Sequence, residues 1–340
     1  MRRTARLARC ARRSCLSRVE RRGKPSMRVA RVVMDGVTHT AIVAPDGASV
    51  RVLAAEIGVL DVLCGRTERE QMRGQERPIE EVRLLAPIEP PSIRDFSVFE
   101  QHIEGIVMGR DPNARVPDAW YRSPFCYFSN PGAVTGPGEE IPVPRGCRDL
   151  DFELEVAAVI SRPGRNLTPE QAAEHIAGYT IFNDWSARDL QFEEMKLGLG
   201  ICKGKDFANT LGPWIVTPDE LEHLRTGDRL DLDMSAQVNG RPLGHDTLAN
   251  MAWSFQELVS YASRGTWVRP GDVLGSGTCG SGCLLELRGR HGPDAYPPLA
   301  PGDTVTLSVQ GIGTLTNTIV PGIDPVPLPE ARPGRMRSRA

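Results

Sequence analysis

The segment Asp151–Ile160, DFELEVAAVI, decides the fold and carries the first chemical signal. Apolar side chains occupy every second position, starting at Phe152, which is the period of a β-strand. The other face begins with Asp151, Glu153 and Glu155. Glu153 and Glu155 are expected about 7 Å apart, where like charges repel unless a cation lies between them. A solvated strand face is the ordinary interpretation, but the flanking residues are too apolar for an exposed edge.

A third acid lies in a similarly apolar frame. Asp184 ends the run TIFND at Thr180–Asp184. Three carboxylates without His or Cys neighbours form an oxygen-only ligand set, which suits Mg²⁺ or Mn²⁺, with Ca²⁺ as an alternative, rather than zinc. The sequence therefore predicts a divalent-cation site.

Lysine usage gives a second signal. The chain has four Lys against 37 Arg, and two of the four, Lys203 and Lys205, lie in the short segment ICKGKDF. A compact ammonium is a suitable donor to a developing enolate oxygen. Chance clustering in a surface loop is the alternative. Among the six His, His102 is embedded between acids and apolar residues, where a structural role competes with a catalytic one.

Length and charge exclude several classes of protein. The 340 residues are 40 % hydrophobic, which is enough for a core, and no apolar run is long enough to span a membrane. Residues 27–340 carry 31 bases and 42 acids, a net charge of −11 that argues against nucleic acid as a partner. No CxxC spacing occurs among the Cys outside residues 1–26, so these thiols are expected to be reduced.

The ends of the chain differ from its body. Residues 1–26 hold nine Arg and one Lys against one Glu and predict a disordered leader. That leader could instead be a mitochondrial presequence, or the true start could be Met27. Localisation is therefore expected to be cytoplasmic, or the mitochondrial matrix if the leader is a presequence. Residues 325–340 are expected to form a loose tail.

The body predicts a small N-terminal domain at 27–86 and a catalytic domain at 87–324, joined at the Pro-rich segment Leu84–Pro91. Short strands are expected at 27–60 and a charged helix at 61–83. Strands outnumber helices and the βα alternation of a doubly wound sheet is missing. The fold class expected is α+β and β-rich.

Three helices, one hairpin and a late alternating segment are predicted in the catalytic part. One helix starts at the capping box TPEQ, Thr168–Gln171, and ends at Gly178. A second covers 186–196, and a third follows the apolar stripe from Leu248 to Ala262, capped by Asp246 or Thr247. A hairpin is expected around Asn239–Gly240, and Asp303–Val320 alternates like a strand around the glycines at 311 and 313.

Four motifs together resemble the fumarylacetoacetate hydrolase superfamily over about residues 84–320. They are the DFELEVA strand, NDWSARDLQ at Asn183–Gln191, the GKDF segment and the late GIGTLTN. The DFELEVA strand and the NDWSARDLQ motif together are highly specific for this superfamily, whereas GIGTLTN alone is weak evidence for it. The resemblance implies a mixed β-roll catalytic domain, a small N-terminal β domain and a homodimer, without a nucleic-acid or membrane partner.

The resemblance also assigns site residues. The family's metal carboxylates fall on Glu153, Glu155 and Asp184, and its hydrolase branch adds Asp95, seven residues before the catalytic His102. Glu286 matches a Glu in a late strand that orients the His, and Lys205 matches the family lysine. Three substrate contacts are implied at Gln191, Thr278 and Arg110.

The resemblance implies cleavage of a carbon–carbon bond in a 1,3-diketo acid such as a fumarylacetoacetate or an acylpyruvate. Departures bear on the substrate: Ser97 replaces a Tyr, Asn209 replaces a Thr, and the segment between Thr278 and Glu286 is short. The acylpyruvase branch has a Glu where this chain has Gly105. Retention of a His and its Glu favours hydrolysis over oxaloacetate decarboxylation or a hydratase or isomerase step in aromatic-acid breakdown.

Three further alternatives remain outside that reaction class. The segment GSGTCG, Gly275–Gly280, fits the dinucleotide pattern G-x-G-x-x-G, but the following CLLEL predicts a strand where such a site needs a helix. Cys279 as a nucleophile has no local motif. A non-catalytic binding protein on the same scaffold would be expected to have lost some of the site residues.

Overall fold

The computed structural model describes residues 26–198 and 200–332. The predicted leader therefore lies almost entirely outside the described residues, as does the end of the predicted tail. Residues 325–332 are exposed and contain neither helix nor strand. No helix in the described ranges is long and apolar enough to cross a lipid bilayer.

The described chain is rich in strands. In chain order these are β1 Arg28–Met34, β2 Val37–Val43, β3 Ser49–Val52, β4 Gln75–Pro78, β5 Arg83–Leu85, β6 Ile93–Phe96, β7 Cys126–Ser129, β8 Val134–Thr135, β9 Glu140–Pro142, β10 Leu150–Asp151, β11 Leu154–Ile160, β12 Ile176–Asp184, β13 Ser186–Ala187, β14 Asn209–Val216, β15 Arg225–Thr226, β16 Arg229–Leu230, β17 Asp233–Val238, β18 Arg241–Thr247, β19 Val273–Gly275, β20 Thr304–Val309 and β21 Gly313–Val320.

Six α-helices are described alongside these strands. They are α1 Val59–Leu63, α2 Glu100–Arg110, α3 Pro169–Ala173, α4 Arg188–Met195, α5 Phe255–Ala262 and α6 Leu284–His291. Most are short, so the sheets carry the architecture. The α+β, β-rich class expected from the sequence is confirmed.

A twelve-stranded mixed sheet runs in the order β4-β3-β2-β1-β14-β12-β11-β19-β6-β7, with β5 beside β1 and β8 beside β14. A second sheet has the order β18-β17-β20-β21-β9. Strand β1 pairs with β14, so the strands before residue 86 continue the large sheet. The division into domains at 27–86 and 87–324 stays a prediction.

Strand β11 lies near the middle of the large sheet with both faces covered. Its even-numbered side chains, such as Val156 and Ala158, join a core shared with the second sheet, for example with Leu307. Its odd-numbered side chains Ala157 and Val159 pack in a second core on the opposite face. Burial on both faces explains why the strand is apolar beyond its first residues.

Several helix predictions were wrong. Only Val59–Leu63 is an α-helix near the segment 61–83, whose remainder contains β4 and β5. Helix α3 has the predicted capping box but ends at Ala173, because the chain enters β12 at Ile176. The stripe from Leu248 begins as a 3₁₀ turn capped by Thr247, and α5 starts later, with Ser254 as its cap.

The hairpin at Asn239–Gly240 and the strand pattern of Asp303–Val320 were confirmed. Asn239 and Gly240, both with positive φ, turn the chain between β17 and β18. Strands β20 and β21 pair around the glycines at 311 and 313. In contrast, CLLEL forms the first half of α6 and is not a strand. An N-terminal cap explains the difference: Asp151 accepts the backbone N–H groups of Leu284 and Leu285.

Candidate functional site

Four carboxylates meet at one edge of the neighbouring strands β12, β11, β19 and β6. Asp95 lies on β6, Glu155 on β11, Asp184 at the end of β12 and Glu153 in the short break before β11. Each offers an oxygen within 4.8 Å of the others, and all four are buried. The predicted continuous strand is interrupted at Glu153, yet both glutamates reach the same cluster.

Two glycines allow the carboxylates this close approach. A Cβ at Gly275 would lie 2.3 Å from Asp95 Oδ1 and 2.9 Å from Glu155 Oε2, so a side chain there would displace both acids. The backbone N–H of Gly277 donates to the same two oxygens, at 3.2 and 3.0 Å. The loop that resembles a dinucleotide motif therefore contacts carboxylates. Helix α6 does follow it, but the next strand, β20, belongs to the other sheet, so no βαβ unit forms.

Two buried cations share the cluster. Lys205 Nζ contacts Glu153 Oε2 and lies 2.5 Å from Asp184 Oδ2. Arg188 bridges Glu153 Oε1 and Asp151 Oδ2, each at 2.8 Å. Burial alone would raise the pKa of Glu153, but Lys205 and Arg188 outweigh it and lower that pKa below its ordinary value. Glu153 is therefore ionised.

The other three acids are less compensated. Burial raises the pKa of Glu155 well above its ordinary value, and proximity to Asp95 raises it further. Burial also raises the pKa of Asp95, and it raises that of Asp184 to about 8 although Lys205 opposes the shift. Closely spaced buried carboxylates retain protons because their charges repel.

The cluster fits a divalent cation. Glu155 Oε1 and Asp184 Oδ1 are buried and have no hydrogen-bond partner. Unsatisfied buried oxygens are costly, and hard cations such as Mg²⁺ and Mn²⁺ prefer carboxylate oxygens as ligands. The buried acidic cluster can thus hold a divalent metal, as expected from the sequence.

An imidazole–carboxylate pair lies nearby. His102 is on α2 and Glu286 is on α6, and His102 Nδ1 is 3.2 Å from Glu286 Oε2. Glu286 is fully buried and also accepts hydrogen bonds from Ser281 N–H at 2.8 Å and Arg290 Nε at 2.9 Å. A carboxylate bound to Nδ1–H leaves the lone pair on Nε2, the form in which a histidine accepts a proton.

One cavity of about 410 Å³ joins these two groups. Its walls include Asp95, Glu153 and Lys205 at one end and His102 at another. The three predicted substrate contacts, Gln191, Thr278 and Arg110, also line it. Arg110 is exposed, with its guanidinium 5.1 Å from the centre of the Phe192 ring. The remaining wall is largely apolar and is built mainly by α2 and α4.

Sequence reasoning missed three residues at the carboxylate end. Tyr127 lies on the edge strand β7, and its hydroxyl is 2.8 Å from Asp95 Oδ2 and also contacts Asp184. Arg188 stands inside the quoted NDWSARDLQ motif, and Asp151 begins the quoted strand. Arg188 is 1 % exposed and Asp151 is 0 % exposed, so each buried charge needs the other as its partner. The sequence does not show burial, so this pairing could not be predicted from it.

Comparisons with known proteins agree with this geometry. Residues 93–320 match the family described as fumarylacetoacetate (FAA) hydrolase C-terminal, and residues 27–87 match Rv2993c-like, N-terminal. The chain is 32 % identical over 302 residues to a fumarylacetoacetase of Arabidopsis thaliana, covering 71 % of this chain and 72 % of that protein. It is 31 % identical over 286 residues to protein Rv2993c of Mycobacterium tuberculosis, covering 82 % and 96 %.

A solved structure of fumarylacetoacetate hydrolase from Exiguobacterium antarcticum matches with a TM-score of 0.69 at 27 % identity, covering 87 % of this chain and 100 % of that chain. Other relatives are named maleylpyruvate hydrolase, in Aquipseudomonas alcaligenes, and oxaloacetate tautomerase, in Xenopus laevis. Related proteins thus include hydrolases and a tautomerase. On this match over most of its length, the chain belongs to the fumarylacetoacetate hydrolase family.

Proposed function

We propose that this protein is a metal-dependent hydrolase that cleaves a 1,3-diketo acid at the carbon–carbon bond between the distal carbonyl carbon and the central carbon. The observation that carries the proposal is the shared cavity, whose walls contain His102, held by Glu286, at one end and Asp95, Glu153 and Lys205 at the other. Hydrolysis of such a bond needs both a base for water and a positive charge for the departing enolate.

The four carboxylates, Asp95, Glu153, Glu155 and Asp184, would hold Mg²⁺ or Mn²⁺. When bound, this ion supplies Lewis-acid polarisation and a template for the oxygens of the diketo acid. Gly275 and Gly277 keep the acids close together, and Arg188 fixes Glu153 from behind through its ion pair with Asp151.

His102 is the proposed base. Glu286 accepts a hydrogen bond from Nδ1–H, so Nε2 is free to take a proton from water while the water oxygen bonds to the distal carbonyl carbon. The carbon–carbon bond then breaks, and its electron pair passes to the enolate of the departing keto acid. The proton held on Nε2 returns to the enolate carbon, which gives a carboxylic acid and a keto acid.

Lys205 is the proposed enolate partner. Burial alone would lower the pKa of Lys205, but Asp184 and Glu153 raise it above its ordinary value, so the ammonium is charged at neutral pH. A buried positive charge fixed in position before the reaction stabilises negative charge more strongly than water does. Gln191 and Thr278 are proposed to orient the substrate, and Arg110 to meet it at the cavity mouth.

The test is a panel of diketo acids with Mg²⁺ or Mn²⁺, followed by loss of enol absorbance and by product identification. Hydrolysis predicts one carboxylic acid and one keto acid in equal amounts. Release of CO₂ would identify a decarboxylase instead, and loss of enol without cleavage would identify a tautomerase or isomerase. The homodimer and the localisation expected from the sequence stay predictions.

A further inference from the structure

A second group of metal-ligating side chains lies beside the imidazole. His102, Cys283 and Glu286 are all buried, and their ligand atoms lie within 4.8 Å of one another. Cys283 Sγ is 3.8 Å from His102 Nδ1, which is itself 3.2 Å from Glu286 Oε2. Unlike the carboxylate cluster, this group combines nitrogen, sulfur and oxygen.

We propose that His102, Cys283 and Glu286 form an inhibitory site for a thiophilic divalent cation, with Zn²⁺ as the ion that fits it best. Zinc favours tetrahedral coordination by this mixture of ligands. With Zn–N and Zn–O near 2.0 Å and Zn–S near 2.3 Å, tetrahedral edges are about 3.3 Å for N–O and about 3.5 Å for N–S. The two separations in the protein are close to these values before any metal binds.

Local structure already holds the three donors in place. Cys283 is the N-cap of α6, and its sulfur accepts the backbone N–H of Glu286 at 3.4 Å. Arg290 binds Glu286 through Oε1, and Oε2 faces the imidazole while it also accepts the backbone N–H of Ser281. The route for an ion is the substrate cavity, because His102 and Leu285 both line it.

Metal binding at this site rearranges two protons. Burial raises the pKa of Cys283 well above its ordinary value, so the resting thiol is protonated and the metal displaces that proton into solvent. The imidazole proton leaves Nδ1 for Nε2, because Nδ1 becomes a ligand. A histidine with a proton on Nε2 cannot accept one from water, so the base is disabled.

The existence of the site does not depend on hydrolysis, whereas its inhibitory effect rests on the proposed function. The experiment therefore begins with binding. The full-length protein is saturated with Mg²⁺ to fill the carboxylate cluster and titrated with Co²⁺, a spectroscopic substitute for Zn²⁺. The site predicts a thiolate-to-cobalt charge-transfer band at one equivalent, lost in Cys283→Ser and kept in Cys279→Ser.

Cys279 is a matched control because it is also fully buried, four residues earlier in the same loop. In the activity assay, Zn²⁺ is expected to inhibit the parent and Cys279→Ser proteins alike, and the Zn²⁺ concentration for half inhibition should rise at least about 10-fold in Cys283→Ser. The rate of each protein with zinc is divided by the rate of the same protein without zinc. An effect of the substitution on the uninhibited rate therefore does not enter the comparison.

Absence of the charge-transfer band in the parent protein, or an unchanged band in Cys283→Ser, would overturn the site. If Cys283→Ser does not fold, X-ray absorption of the zinc-loaded parent protein decides, since the site requires one sulfur ligand. A Cys283-dependent band in a protein that cleaves no diketo acid would support the site and remove only its effect on hydrolysis.

Discussion

The two ends of the cavity differ in how completely their polar groups are satisfied. At the imidazole end, Glu286 accepts hydrogen bonds or ion pairs from His102, Ser281 and Arg290. At the carboxylate end, Glu155 Oε1 and Asp184 Oδ1 have no partner. The first end is complete without a ligand, whereas the second has more buried carboxyl groups than Lys205 and Arg188 can keep ionised. Loss of a carboxylate ligand should therefore lower metal affinity, whereas changes at Lys205 or at the imidazole pair should lower the rate.

The largest effect is expected from Glu155→Gln, which removes a metal ligand and keeps its shape. Mn²⁺ affinity, measured by titration calorimetry, should fall by at least about 100-fold, since changes at residues that merely orient ligands cost 10- to 100-fold. The metal-free variant should be no less stable to heat than the parent, because the amide is uncharged, like the protonated carboxyl that burial favours at Glu155. Glu89→Gln, at an exposed carboxylate, is the control. Unchanged Mn²⁺ affinity in Glu155→Gln would remove Glu155 from the metal site.

Lys205→Met is expected to lower kcat by on the order of 10²- to 10³-fold at saturating metal, the usual cost of losing one charge-stabilising donor. The same segment offers a matched control in Lys203→Met, since Lys203 is exposed and pairs with Asp206. Steady-state kinetics of both variants separate the two lysines. Equal rates for the two variants would contradict the role of Lys205.

Glu286→Gln should slow turnover by about 10- to 100-fold, because an amide holds the Nδ1–H tautomer of His102 less firmly than a carboxylate does. Metal affinity should stay within about twofold, since the variant leaves the carboxylate cluster intact. Glu104→Gln is the control, because Glu104 also pairs with Arg290 but is exposed. A large loss of metal affinity in Glu286→Gln would mean that the two ends are not separable.

The smallest effect concerns pH and stability. Asp184, with its pKa raised to about 8, and Asp95 and Glu155, also raised, bind more protons in the folded than in the unfolded chain. Stability from these groups is full at acidic pH and is lost as pH rises toward the folded pKa values. The melting temperature of the metal-free protein should therefore rise as the pH is lowered from 8 to 6. The rise should be larger than the rise in Glu155→Gln, which lacks one of these groups.

Saturating Mn²⁺ should reverse that trend, because the metal binds the deprotonated carboxylates and its affinity grows with pH. Calorimetry in buffers of different ionisation enthalpy should then detect proton release on Mn²⁺ binding at pH 7. Binding without proton release would contradict the raised pKa values.

Local pattern predicted the elements that depend on neighbouring residues. The alternation of DFELEVAAVI predicted β11, and Asn239–Gly240 predicted the hairpin, since side-chain alternation and turn chemistry are local properties. The helix predicted over 61–83 and the strand predicted at CLLEL were wrong. In the first case the strands β4 and β5 pair with distant partners, and in the second Asp151 caps a helix 133 positions later in the chain.

The sequence by itself determined the chemical types at the site: acids for a hard cation, one lysine, one histidine and its glutamate. Only the tertiary structure decided that Tyr127 and Arg188 join the carboxylates, that two oxygens lack partners, and that Cys283 lies against the imidazole. The physical reason is that residue identity fixes what a side chain can bind, whereas burial and distance between remote segments fix whether it does.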